Sequence, residues 1–302
     1  MFCVEAERPV ASIVIVHGAC EHHGRYKWLS DMWRSSGYNV VMDDLPGQGT
    51  STRARGHIRS FQEYIDEVDK WIDKAKSFRL PVFLLGHSMG GLVAIEWFKQ
   101  HENGINGLIL SSPCLGLQLK LKPNKLVDVL SKGLNVMAPS LLFESGITPD
   151  KATRNKELIE MADNDPLYFT KVSVRWYHEL LKAMKSALEP ADTFLNIPLL
   201  VMQAGTDLIV DKKMTVKGLI SLHPEIKHTG NGRACITRSL MSLNERTFLK
   251  RQKRLQINIS RNGGAFFVST GASVRINGKS IQRGFSARPS GIRQMADEGR
   301  KH

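Results

Sequence analysis

The chain is poor in the residues that would place it outside a reducing compartment. Its 302 residues hold four cysteines, Cys3, Cys20, Cys114 and Cys235, with no C-x-x-C pair and no dense spacing. That excludes a disulfide-framed secreted scaffold and a thiolate metal site. No stretch approaches the 18 or more apolar residues of a membrane span. Glu5, Glu7 and Arg8 precede the first apolar run, so no signal-peptide core opens the chain. Metal-ligand clusters and phosphate-cradling glycine loops are also missing. The expectation is a cytoplasmic protein that needs no cofactor and no metal.

Acidic residues are scarce in one region only. Residues 218–302 hold 16 Lys/Arg against 4 Asp/Glu, whereas residues 1–217 hold 26 against 25. The net charge of +13 therefore belongs to the tail. A nucleic-acid partner is not expected, because residues 1–217, which carry the motifs, are close to neutral and the tail's charge reads as incidental.

What is present is an alternation of buried strands and helices. Near-continuous apolar runs at Val10–Val16, Tyr38–Met42, Val82–Leu85, Leu108–Leu110 and Leu199–Met202 read as strands covered on both faces. Helical patterns lie between them at Arg25–Ser36, Phe61–Phe78 and Ser88–His101. The order predicts an α/β fold with a mainly parallel, doubly wound sheet. From about Pro113 to Phe194 the alternation gives way to helical patterns at Asn124–Met137, Lys151–Ala162 and Lys171–Leu188. The expected organisation is a core over 1–112, a helical cap over 113–194, the rest of the core with an acid loop over 195–217, and a basic tail over 218–302.

Gly86-His87-Ser88-Met89-Gly90 sits between the third strand and a helix. G-x-S-x-G in a strand–turn–helix context is a nucleophile elbow, in which glycines let backbone pass close to a strained serine. Acyl transfer from Ser88 also needs an oxyanion hole, a base and an acid that orients the base. The Met89 N–H follows the nucleophile. Ala19, in the loop His17-Gly18-Ala19-Cys20 after the first strand, is the candidate second donor. Asp207 ends the turn after Leu199–Met202 and is the candidate acid. Asp211 reads as a helix N-cap, and Asp44 and Ser51 as turn-stabilising residues.

Positions 10–217 resemble the bacterial lysophospholipase and monoacylglycerol-lipase-like α/β-hydrolases. The resemblance rests on His17-Gly18-Ala19 with Glu21-His22-His23-Gly24-Arg25-Tyr26, Asp44-Leu45-Pro46-Gly47-Gln48-Gly49, Arg55-Gly56-His57, Gly86–Gly90 and Gln203-Ala204-Gly205-Thr206-Asp207. It implies Ser88 as nucleophile, Asp207 as acid, Ala19 and Met89 as oxyanion donors, and the helical insertion as an acyl-binding cap. The implied substrate is a small lipid ester, a mono-acylated glycerol or lysophospholipid, with peripheral contact to membrane lipid.

One element of that family pattern is missing. The catalytic histidine should follow the acid in a motif resembling L-Y-H-E-I-F-N-E-P-E. Only His223, His228 and the terminal His302 lie downstream of Asp207, and none has that context. The genetic code supplies a reason. If the third base of each codon joins the first two of the next, Ala234–Glu245 permits L-Y-H-E-I-F-N-E-P-E-R. A single lost base after Lys217 puts that motif out of register, so the tail reads as frameshifted sequence. That reading expects the last strand of the sheet to be lost and Ser269–Gly291 to be disordered. The alternative is a catalytically inactive module whose basic tail binds anionic partners.

Overall fold

The computed structural model describes residues 1–101, 104–118, 125–189, 197–204 and 206–222, with the pairs 265–266, 275–276 and 279–280. The parallel sheet forms where the apolar runs are longest. Strands β2 (Ala11–Val16), β3 (Tyr38–Met42), β4 (Val82–His87), β5 (Gly107–Ser111) and β8 (Leu199–Met202) pair in parallel in the order β3-β2-β4-β5-β8. A strand that the composition did not signal, β1 (Phe2–Val4), adds antiparallel to β3 at the edge. At three residues it is too short to show a period.

Each central strand is buried on both faces, and successive residues enter different cores. Ile13 and Ile15 pack with Leu29 and Trp33 of α1 (Lys27–Ser35). Val14 and Val16 pack with α2 (Gln62–Lys76) and α3 (Met89–Gln100). On α2 the buried residues Tyr64, Ile65, Val68, Trp71, Ile72 and Ala75 recur every three or four positions, the stripe of a helix lying on a sheet. The residues of α3 from Met89 to Phe98 are all buried, because α3 is wedged between the sheet, α2 and the later helix Val174–Ala187.

Between β5 and β8 the chain makes α4 (Lys125–Met137), α5 (Pro149–Ala152), α6 (Lys156–Asp163) and α7 (Val174–Ala187). The helix expected at Lys151–Ala162 is divided, because Thr153 and Asn155 are extended and Asn155 caps α6 through the Glu157 N–H. The helix expected from Lys171 begins three residues later. Lys171–Ser173 (β7) is instead a strand, antiparallel to Leu142–Glu144 (β6), and Ser173 caps α7 through the Trp176 N–H. Trp71, Trp97 and Trp176 are among the largest fully enclosed side chains. Emptying one such site costs about 3–5 kcal/mol.

Beyond β8, helix α8 (Lys212–Leu222) is capped by Asp211, whose carboxylate accepts the Lys213 N–H at 2.9 Å. One expectation for the tail needs correction. The edge of β8 is not bare, since β9 (Ala265–Phe266) runs parallel beside Leu199 and Leu200. A ladder uses backbone groups, so any extended dipeptide can supply it. Within Ser269–Gly291, β10 (Arg275–Ile276) pairs antiparallel with β11 (Lys279–Ser280). The intervening Asn277-Gly278 is the dipeptide that favours tight hairpins. The chain divides into two units, Met1–Thr270 and Gly271–His302, and the β10–β11 pair belongs to the second.

Candidate active site

The elbow is forced by close backbone approach. Ser88 has φ 52° and ψ −117°, a conformation that costs an L-residue about 1–3 kcal/mol. It is fixed from both sides. The Ser88 N–H donates to the Ser111 carbonyl at 2.9 Å, and its own carbonyl accepts from the N–H groups of Gly91, Leu92 and Cys114. A Cβ on Gly86 would lie 2.3 Å from the Gly90 carbonyl oxygen, and one on Gly90 would lie 2.2 Å from that of Val16. These two glycines are what let the start of α3 press against the ends of β2 and β4.

Ala19 and Met89 line the same apolar cavity as Ser88. Met89 is the first residue of α3, so its N–H has no intrahelical acceptor. The loop after β2 is held by its flanking peptides. The Gly18 N–H donates to Glu21 Oε1 at 2.7 Å and the Cys20 N–H to Gln48 Oε1 at 2.9 Å. Ala19, between them, lines the same cleft as Ser88. Gln48 is part of a buried relay, since its Nε2 donates to Tyr64 Oη at 3.1 Å and Trp176 Nε1 donates to the same oxygen at 2.9 Å. The sequence gives no sign of this relay, because its members lie on three separate elements.

His17 stands beneath that loop as a structural residue. The Leu45 N–H donates to its Nε2 at 3.0 Å, and its Nδ1–H donates to the Gly18 carbonyl at 2.7 Å. Burial pushes its pKa down, so the ring is neutral and both nitrogens are engaged. Glu21 is also buried. Burial raises its pKa, but His87, His17, Arg25 and the Tyr26 hydroxyl together outweigh it and keep the carboxylate ionised.

Asp207 follows β8 and lines the cleft that Ser88 lines. Its Oδ1 accepts the N–H groups of Ile209 (3.0 Å) and Val210 (2.8 Å), and its Oδ2 accepts Gln203 Nε2 at 3.1 Å. The sheet thus brings together Ser88, Ala19, Met89 and Asp207 from three loops. Among the described residues no histidine hydrogen-bonds to Ser88 or Asp207. His87 lines the cleft with its Nδ1 3.1 Å from Ser111 Oγ. His223 and His228 lie outside the described residues. Asp44 and Ser51 hold turns as expected: Asp44 accepts from His23 and Thr50, and Ser51 Oγ accepts the Gly47 N–H.

A second, apolar cavity opens from Ser88 and Met89 under α7, walled by Cys114, Leu117, Trp176 and Leu180. Burial pushes the Cys114 thiol up to about 12, so it is no rival nucleophile at neutral pH. Among the described residues no group of three His, Cys, Asp or Glu side chains is placed to hold a metal ion, and no helix is long and apolar enough to cross a membrane.

Residues 7–230 match the family described as "Serine aminopeptidase, S33". The chain is 69% identical over 218 residues to phospholipase YtpA of Bacillus subtilis, covering 72% of this chain and 83% of that protein. It is 33% identical over 208 residues to the monoglyceride lipase of Homo sapiens, covering 68% of each. Among solved structures, a monoacylglycerol lipase from Paleococcus ferrophilus superposes with a TM-score of 0.68 at 25% identity, over 86% of this chain and 99% of that one.

Proposed function

The chain belongs to the serine aminopeptidase S33 family of α/β-hydrolases, whose relatives include lipid ester hydrolases, and we propose that its fold is built to cleave the carboxylic ester of a mono-acylated lipid. One observation carries the proposal: Ser88, in its strained elbow, lines a cleft together with Ala19 and Asp207 and an apolar cavity together with Ala19 and Met89. In this reading Ser88 attacks the ester carbonyl and an acyl-enzyme forms. The Ala19 and Met89 N–H groups stabilise the oxyanion, each by about 10²–10³ in rate. The apolar cavity under α7 takes the acyl chain, and Asp207 orients the base.

Among the described residues no histidine hydrogen-bonds to Asp207 to serve as that base, and we attribute its loss to a single missing nucleotide after Lys217. The stretch shared with the Bacillus relative is 218 residues, 72% of this chain and 83% of that protein, which is what a loss of register near Lys217 would leave. Without a general base the serine stays a poor nucleophile, a loss on the order of 10⁴–10⁶ in turnover. The test compares this chain with a version carrying one added base after codon 217, both assayed on p-nitrophenyl esters, a lysophospholipid and a monoglyceride. The restored chain is expected to turn over at ordinary lipase rates and to lose activity as Ser88→Ala, with the present chain nearly silent. Full activity of the present chain, or restored activity that survives Ser88→Ala, overturns the assignment. Resequencing the gene around codon 218 tests the deletion directly. The tail's charge supports a second reading, an inactive module with anionic partners. It requires salt-dependent heparin retention that is lost on truncation at Lys217.

A further inference from the structure

Ser88 and Asp207 stand on either side of the end of β5. His87, Ser111 and Met202 are side by side in the register of β4, β5 and β8. Ser88 and Gln203 are the next residues on the two flanking strands. Asp207 returns to that level, because its Oδ2 accepts Gln203 Nε2 at 3.1 Å. Two strand spacings, about 10 Å, separate the two positions. A five-membered ring hydrogen-bonded at both of its nitrogens bridges oxygens about 8 Å apart. One imidazole therefore has about the length needed to join the two side chains.

The space and the charge between them suit such a ring. The cleft shared by Ser88 and Asp207 has a volume of about 90 Å³, room for several waters or one small ring, and Ser112, Ile209 and Val210 also line it. Asp207 Oδ1 is taken by the N–H groups of Ile209 and Val210. Its Oδ2 accepts from Gln203 and, as a carboxylate oxygen, has a lone pair for a second donor. Glu21, the other carboxylate of the cleft, is ion-paired with Arg25 at 3.3 Å. Asp207 is thus the carboxylate free to offset an imidazolium formed beside Ser88. The nearest histidine in sequence, His87, directs its Nδ1 to Ser111 Oγ.

We propose that the cleft between Ser88 and Asp207 binds free imidazole, which acts as a diffusible general base and makes this chain an imidazole-dependent esterase. The proposal rests on the ester-hydrolase reading of the site. Asp207 Oδ2 accepts the ring N–H, which leaves the bare nitrogen toward Ser88. That nitrogen takes the hydroxyl proton as Ser88 Oγ bonds to the ester carbonyl carbon, and the imidazolium returns it to the alcohol oxygen as the ester C–O bond breaks. The same nitrogen then takes a proton from the water that attacks the acyl-enzyme, and gives it to Ser88 Oγ as the fatty acid leaves. Imidazole titrates near neutral pH, so both of its forms are accessible there.

The full chain is assayed on 1-lauroylglycerol, below its micelle concentration, by laurate release with and without imidazole. This ester is unactivated, so imidazole alone does not cleave it appreciably. A positioned base contributes typically 10²–10⁴-fold, and a gain of about a hundredfold or more is expected. The gain should vanish in Ser88→Ala and fall at least tenfold in Asp207→Ala. 1-Methylimidazole keeps the bare nitrogen but has no N–H for Asp207, so with the unaltered chain it should give at most about a tenth of the gain. An equal gain from 1-methylimidazole, or one that survives Ser88→Ala, means catalysis from bulk solvent and overturns the site. The chain restored by one base after codon 217 is the reference. If it is active while imidazole leaves the present chain silent, the imidazole site alone is overturned. If both chains stay silent on this ester and on a lysophospholipid, the ester-hydrolase reading falls with it.

Discussion

Replacing Gly90 with alanine tests the close approach on which the elbow depends. The added Cβ would lie 2.2 Å from the Val16 carbonyl oxygen and 2.4 Å from that of His17. Both obstacles are backbone, so no rotamer change relieves the overlap. The start of α3 must withdraw from the end of β2 by about 1 Å to restore ordinary contact. It cannot withdraw freely, since α3 is buried from Met89 to Phe98. Overpacking of this kind costs typically about 1–3 kcal/mol, and rigid atoms on both sides place Gly90→Ala near 3. For a domain of this size that lowers Tm by roughly 6–12 °C. Gly133→Ala is the matched control. Nothing lies within 4 Å of a Cβ there, in the interior of α4. Alanine should add about 0.5–1 kcal/mol of helix stability, and Tm should rise by roughly 1–4 °C. Scanning calorimetry and urea unfolding of the two variants report opposite signs. A Gly90→Ala protein melting within a degree of the parent would show that α3 does not press on β2.

Two further outcomes follow from hydrogen bonds in the core and at its edge. Tyr64→Phe removes the acceptor shared by Gln48 and Trp176, leaving two buried donors unmatched; the expected loss is about 2–4 kcal/mol in urea unfolding, and a loss under 0.5 would contradict it. The His23 ring is held above its ordinary pKa chiefly by its hydrogen bond to Asp44, at 2.7 Å. A raised folded-state pKa adds stability in full below about pH 6.5, and this fades as pH rises through the folded value. The Tm measured by calorimetry should therefore fall between pH 6 and pH 8, and fall less in His23→Gln.

The residues that faced two cores at once were the easiest to read. Tyr38–Met42 and Leu199–Met202 are strands over the same residues in sequence and structure, because a strand buried on both faces needs apolar side chains at every position. The elbow and Asp207 were legible because turn geometry restricts them to a few residue types. Short elements were not. The three-residue strands β1, β6 and β7 offer too few positions for a period, and Lys171–Ser173 carried helical spacing only as the lead-in to α7. Glu21 sat within a recognised motif, yet its role in holding the Gly18 N–H needed coordinates. The Gln48–Tyr64–Trp176 relay joins residues up to 128 positions apart and leaves no local trace.

That relay ties α7 to the loop after β2. Moving α7 off the sheet must stretch the Trp176–Tyr64 bond, and the strain passes through one amide side chain to the peptide next to Ala19. Whatever displaces α7 therefore also loosens that turn, so the two cannot be set independently.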